Sequence, residues 1–408
     1  MTSPGQVVVV GGGLAGLRTV EELRGRGYGG QVTLVGAEPR LPYDRPPLSK
    51  KLMTGALDDT TLRHDLDPLH AEVRLGERAV SLDDGVLTTD RGEHPFDALV
   101  LATGATPVTL PGDGRQHVLR TIEDALELRE LLRPGVTLAI VGAGWIGAEL
   151  ATAAVQLGGR VTVLEAAQTP LAAAVGPEVG RLTAQWYAAA GVDLRLGQGV
   201  ESVRPGGLAL AGGGWLAADV IVTAVGVRPT VSWLADSGVA LDNGVAVDAQ
   251  LRTSAAGVFA VGDCAAFESL RYGRRLRFEH WDVALHAPEV VAANILGGSQ
   301  AYDPVPYFWS EQFGRMVQYV GHLGAGGRGA GGQGTGGDGY GERLVWRGDP
   351  SGERWAAAWL AGERLVALLT VGLPRDLLQG RRLISAGLPV DPGRLADPRI
   401  PLRDSVLT

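Results

Sequence analysis

Val7-Val8-Val9-Val10-Gly11-Gly12-Gly13-Leu14-Ala15-Gly16 near the start of the chain and Leu138-Ala139-Ile140-Val141-Gly142-Ala143-Gly144-Trp145-Ile146-Gly147 in its middle are two versions of one pattern. Each has a short apolar run, then G-x-G-x-x-G, then a helix-compatible stretch (Leu17 to Arg26; Ala148 to Leu157), then a second apolar run (Val32 to Val35; Val161 to Leu164). The pattern predicts two β-α-β units. In such a unit the first glycine permits the tight turn, the second lets a pyrophosphate approach the backbone, and the third lets the helix pack close to the strand. Gly11, Gly13 and Gly16 are therefore candidates for one phosphate cradle, and Gly142, Gly144, Ile146 and Gly147 for another. An acidic residue about 20 positions on is needed to hold ribose hydroxyls. Glu38, 22 positions after Gly16, and Glu165, 18 after Gly147, meet that requirement. The alternative is a pair of tight turns with no ligand.

Further apolar runs at Ala98 to Ala102, Val220 to Val225 and Val258 to Val261 each lead into a glycine turn, at Thr103-Gly104, Gly226 and Gly262-Asp263. Parallel strands that end at a ligand crevice have this form. From Gly324 to Gly341, 11 of 18 positions are glycine, which reads as a surface loop. Beyond it lie strand-like runs at Trp355 to Leu360 and Leu365 to Thr370 and a helical pattern at Pro374 to Ser385. The fold class expected is α/β, with two Rossmann-type dinucleotide-binding domains and a C-terminal α+β domain.

Composition sets the outer limits. With 45% hydrophobic and 20% charged residues, the 408-residue chain is long enough for two or three cores. Lys and Arg total 37 against 45 Asp and Glu, and the net charge of −8 argues against nucleic acid or anionic lipid as partner. Cys264 is the sole cysteine, so no intrachain disulfide, redox cysteine pair or cysteine-held iron–sulfur cluster can form, and a reducing cytoplasmic setting is expected. A secretory leader is not expected, because the first fingerprint already begins at Gly11. No apolar run approaches the roughly 18 residues of a membrane span. The seven histidines lack ligand spacing, so no metal site is expected.

Two dinucleotide sites in one chain imply a resident cofactor and an exchanging cosubstrate, since a hydride carrier needs an acceptor. The run Leu41-Pro42-Tyr43-Asp44-Arg45-Pro46-Pro47-Leu48-Ser49-Lys50, with Ala102-Thr103-Gly104, Leu119-Arg120-Thr121, Ala260-Val261-Gly262-Asp263-Cys264-Ala265 and Phe308-Trp309-Ser310-Glu311-Gln312, resembles the FAD-dependent ferredoxin reductases of the putidaredoxin-reductase and aromatic-ring-dioxygenase type. The resemblance runs from about Val7 to about Pro401. It implies FAD and NADH as cofactors and a small [2Fe–2S] ferredoxin, serving a monooxygenase or dioxygenase, as electron acceptor. It also implies an FAD domain at 1–112 and 244–304, an NAD domain at 113–243, and a C-terminal domain at 305–408 carrying the glycine-rich loop 324–341.

Residue by residue, the resemblance makes Asp263 the acceptor for a ribityl hydroxyl and Arg120, with Arg45, the partner of the pyrophosphate. Ala15, Ala37 and Ala79 fall where close approach to FAD needs small side chains, and Trp281 and Trp309 fall where aromatic rings border the flavin. Lys50 and Glu149 are the expected catalytic pair, a cation beside the isoalloxazine and a carboxylate that positions it. Pro46 to Met53, where related enzymes carry a reactive cysteine, has none, and Cys264, which follows the Gly-Asp motif, is expected to be a buried small residue. Arg271, Arg274, Arg275 and Arg277 read either as a docking patch for an acidic ferredoxin or as a solvated hairpin. Rubredoxin reductase, a redox-gated interaction protein like apoptosis-inducing factor, and a peroxide-forming NADH oxidase are the other readings.

Overall fold

In chain order the elements used below are β1 (Gln6–Val10), α1 (Leu14–Gly25), β2 (Gln31–Gly36), β3 (Glu72–Leu75), β4 (Ala98–Leu101), β5 (Thr137–Val141), α2 (Trp145–Gln156), β6 (Arg160–Glu165), α3 (Ala172–Ala189), β7 (Asp193–Leu196), β8 (Val220–Thr223), β9 (Val258–Ala260), α4 (Trp281–Ile295), β10 (Tyr307–Gln312), β11 (Arg315–Gly321), β12 (Arg343–Arg347), β13 (Trp355–Ala361), β14 (Arg364–Val371) and α5 (Pro374–Ala386). They come from a computed structural model that describes residues 4–324 and 342–407. The glycine-rich loop expected at 324–341 lies, apart from Gly324, outside the described residues. The chain forms two compact units, one of residues 1–44, 59–106 and 228–304, the other of residues 45–58, 107–227 and 305–408.

The first unit is built on a parallel sheet in the order β9-β4-β1-β2-β3. Val7, Val8 and Val9 are completely buried in its centre, which is why that run reads as continuously apolar instead of alternating. Both neighbours of β1 are reached by crossovers that leave in opposite directions, so a crevice opens at the carboxyl ends of the strands. The second unit contains a parallel sheet of the same design, ordered β7-β6-β5-β8.

Both fingerprint helices start earlier than the sequence reading placed them. α1 begins at Leu14 and α2 at Trp145, directly after the second glycine of each motif. The third glycine thus lies inside the first turn. A Cβ on Gly16 would overlap the carbonyl oxygen of Gly11, and one on Gly147 that of Gly142. Glycine there is required by helix packing, and its low helix propensity is what hid the true start.

The second unit also holds an antiparallel sheet, ordered β10-β11-β14-β13-β12. Its strand β13 reads Trp355-Ala356-Ala357-Ala358-Trp359-Leu360 and is buried throughout, because both faces of the sheet are covered. Ala356, Ala358 and Leu360 pack under Leu377, Leu383 and Ile384 of α5. Trp355, Ala357 and Trp359 pack against Val175, Val179 and Trp186 of α3. Trp355 and Trp186 meet with ring centroids 6.5 Å apart.

At the end of β12, Arg347 is 2% exposed and uses four of its five guanidinium donors. It donates to Asp376 Oδ2 at 2.7 Å and to the backbone carbonyls of Leu395, Asp397 and Ile400 at 3.0, 2.6 and 2.8 Å. One planar fork thereby holds α5 and the chain's last segment together. Replacing Arg347 by Ala leaves the carboxylate of Asp376 and three carbonyls without their donor. The expected loss is about 3–5 kcal/mol of unfolding free energy, read from denaturant titration; a loss under about 1 kcal/mol would show the fork to be dispensable.

Candidate functional site

In the first unit, the loop between β1 and α1 is shaped by backbone contact. Gly11 has φ +125°, and a side chain on it would overlap the carbonyl of Ala102 at the end of β4. Gly13 differs: a Cβ there would meet nothing within 4 Å. The protein itself does not require that glycine, and the N-terminus of α1 has no side-chain cap. Free N–H groups facing open space suit a phosphate. The loop before α2 repeats every feature. Gly142, at φ +107°, would clash with the carbonyl of Ala224, Gly144 meets nothing within 4 Å, and α2 likewise lacks a side-chain cap. The donors and the space fit a dinucleotide pyrophosphate at each loop.

Around the first cradle, Ala15 is buried, and a Cβ on Gly262 would come to 3.1 Å from its methyl. That approach brings Asp263 to the start of α1. The backbone carbonyl of Asp263 accepts from Arg277 Nη1 at 3.1 Å. Burial pushes the neighbouring His280 imidazole down to about 4, against the pull of the Asp263 carboxylate, so His280 is neutral at physiological pH. Glu38 follows β2 and accepts from the Tyr43 hydroxyl at 2.5 Å. The N–H groups of Gly76 and Glu77 donate to the carbonyls of Glu38 and Gly36 at 3.0 and 2.9 Å, and Ala37 between these two carbonyls is exposed. Trp281, first residue of α4, donates from its indole to Asp44 Oδ1 at 2.7 Å.

The second unit gathers the other candidates. Lys50 is only 12% exposed in its side chain and lies 2.8 Å from Glu149 Oε2; Glu149, in the first turns of α2, is 4% exposed. Lys50 is not a lysine on an open loop. Two hydroxyls that the sequence reading did not single out complete the carboxylate: Ser49 donates to Oε2, and Ser310 of β10 donates to Oε1 at 2.6 Å. The signal for Ser310 was present in the strand alternation, since Ser310 and Gln312 are buried while Glu311 between them is exposed. Arg45 reaches the backbone carbonyl of Arg120 at 2.5 Å. Trp309 stacks on Tyr307, with centroids 5.9 Å apart.

Two large apolar side chains stand open at the carboxyl edge of the second parallel sheet. Ile146 is 43% exposed in the first turn of α2, and Val225, which the sequence reading missed, is 41% exposed after β8, next to Gly226. Cys264 is buried between the carbonyls of Leu101 and Val261, and burial pushes its thiol up, as expected of an inert cysteine. The basic run is in part paired within the fold. Arg277 is 3% exposed in its side chain and paired with Glu279, and Arg275 is paired with Asp242 and Glu268.

Glu165, at the end of β6, accepts from the N–H groups of Ala143 and Ala167, both at 2.8 Å. Its carboxylate is thus fixed beside the second cradle and does not point away. A 2′-phosphate placed there meets a like charge, which at about 4 Å and an effective dielectric near 20 costs about 4 kcal/mol before solvent screening. NADH is expected to bind at least about tenfold more tightly than NADPH in calorimetric titration, and Glu165→Ala should erase most of that preference. Equal affinities in the parent would remove the role given to Glu165.

Known proteins match the chain over most of its length. Residues 5–287 match the family described as pyridine nucleotide-disulphide oxidoreductase, and residues 307–406 match the domain described as reductase C-terminal. The ferredoxin–NAD(+) reductase component of the anthranilate 1,2-dioxygenase system of Burkholderia cepacia is 36% identical, over 97% of this chain and 98% of its own length. The crystal structure of Fdr9 shares 46% identity at a TM-score of 0.91, covering 97% of this chain and 99% of that one. The reductase in a covalent putidaredoxin reductase–putidaredoxin complex shares 29% identity at a TM-score of 0.91, covering 99% and 98%. With both glycine cradles, the acidic strand ends and a match over most of its length, the chain belongs to the pyridine nucleotide-disulphide oxidoreductase family.

Proposed function

We propose that the chain is an FAD-dependent oxidoreductase that takes electrons from NADH and delivers them to a small [2Fe–2S] ferredoxin, which serves a monooxygenase or dioxygenase in the cytoplasm. The observation that carries this reading is the presence, in one chain, of two phosphate cradles of identical construction together with the buried Lys50–Glu149 pair. Among the described residues no helix is long and apolar enough to cross a membrane. The proposed partition is an FAD domain at 1–112 and 244–304, an NAD domain at 113–243 and a C-terminal domain at 305–408.

FAD would be held by Gly11, Gly13 and Gly16 at its pyrophosphate, with Arg45 and Arg120 adding charge-assisted donors. Glu38 would take the adenosine ribose, Asp263 a ribityl hydroxyl, and Ala15, Ala37 and Ala79 would allow close approach, with Trp281 and Trp309 bordering the ring. NADH would be held by Gly142, Gly144 and Gly147, by Glu165 at its ribose, and by Ile146 and Gly226. A bound flavin supplies the exchange between a two-electron donor and one-electron acceptors. The protein's contribution is electrostatic. Lys50 keeps a positive charge at a site largely closed to water, where a fixed charge acts strongly. Glu149, itself held by two hydroxyls, prevents that ammonium from wandering.

NADH-dependent cytochrome c reduction, measured with and without a panel of [2Fe–2S] ferredoxins and rubredoxins, tests the reading. Turnover should depend on a ferredoxin. Dependence on rubredoxin would change the partner, carrier-free oxygen uptake would make the chain an oxidase, and absence of turnover would leave a redox interaction protein. Lys50→Met, which keeps the aliphatic stem, should lower kcat about a hundredfold while the yellow flavin bands are retained; an unchanged kcat would exclude Lys50 from the chemistry.

A further inference from the structure

The carboxylate of Glu149 is served by donors from three places: Ser49 and Lys50 on Oε2 and Ser310 on Oε1. Behind Ser310 stands Gln312, whose Nε2 lies 3.1 Å from the Ser310 oxygen. Both residues are completely buried. A serine hydroxyl has one proton, and an ionised carboxylate can only accept. The Ser310 proton is therefore committed to Glu149, its oxygen is left to accept, and Gln312 must present its N–H side. The amide oxygen is stranded as a result, since Gln312 Oε1 is buried without a hydrogen-bond partner. A buried orphan carbonyl is destabilising, and a glutamine with only a packing role would have nothing to hold it in that orientation. The stranded oxygen marks the direction of the chain Gln312→Ser310→Glu149.

We propose that Ser310, its proton directed by Gln312, is a positioning residue that holds the Glu149 carboxylate turned so that its other oxygen faces Lys50. The C-terminal domain thereby contributes to a pair whose members both lie outside it. The catalytic meaning of this arrangement rests on the function proposed above; the hydrogen-bond chain itself does not.

The test treats the full-length, flavin-loaded protein with dicyclohexylcarbodiimide, which attacks protonated buried carboxyls, and follows modification of Glu149 by mass spectrometry at mildly acidic pH. Ser310→Ala should be labelled about tenfold faster, the effect of losing one hydrogen bond to a charged group, and Ser310→Thr should match the parent. kcat should fall about tenfold in Ser310→Ala, with KM for NADH unchanged, and return in Ser310→Thr. Parent-like labelling of a Ser310→Ala protein that melts at the parent's temperature overturns the proposal. Should Ser310→Ala fail to fold, Gln312→Met, which removes the directing N–H and the stranded carbonyl together, must raise labelling several-fold; parent-like labelling there overturns the proposal equally. Faster labelling with an unchanged kcat upholds the hydrogen-bond chain and removes only the catalytic role of Lys50 and Glu149.

Discussion

At two glycine turns main chain meets main chain, and both cradles follow from it. At Gly11 the turn after β1 lies against the carbonyl of Ala102, and at Gly142 the turn after β5 lies against that of Ala224, so neither position has room for a side chain. Such close approach fixes where each helix can begin, and it leaves the next glycine, Gly13 or Gly144, facing space that no protein atom fills. Uncapped helix N-termini then point their N–H groups into that space. A side chain at either turn would push the helix off its sheet and close the cradle together.

A second constraint is the burial of Glu149. A carboxylate with 4% side-chain exposure is tolerated only when its oxygens are served by donors. Here they come from segments about 100 and 161 positions away in sequence, at Ser49 and Lys50 and at Ser310. That convergence depends on the C-terminal sheet being docked through α3, where Trp355 and Trp359 bury one face of β13 while α5 covers the other. The C-terminal domain therefore supports the site as well as enclosing its own core.

Charge is handled in the same local way. The chain carries a net −8, yet two of its arginines are spent inside the fold. Arg347 holds the last segment through Asp376 and three carbonyls, and Arg277 is buried on Glu279 and the Asp263 carbonyl. An arginine run in sequence is thus a poor guide to a surface potential, because the guanidinium's five donors serve backbone carbonyls as readily as carboxylates.

The pairing of Lys50 with Glu149, 99 positions apart, was expected only from the family resemblance, whereas both β-α-β units, their crevices and the acidic strand ends at Glu38 and Glu165 were legible from the residue pattern itself. These features are governed by constraints that act within about 30 residues: apolar periodicity, the need for glycine where backbones touch, and the fixed length of one crossover. The true helix starts were not legible, since Gly16 and Gly147 are poor helix formers held in place by contacts to Gly11 and Gly142. Nor were Ser49, Ser310 and Gln312, the exposed Val225, or the burial of Arg277. A serine or a glutamine declares nothing until its partner is known, and the partners here lie far along the chain. Only the tertiary structure decides which distant donor reaches a buried acceptor, because that choice is made by packing and not by any pattern local to the residues themselves.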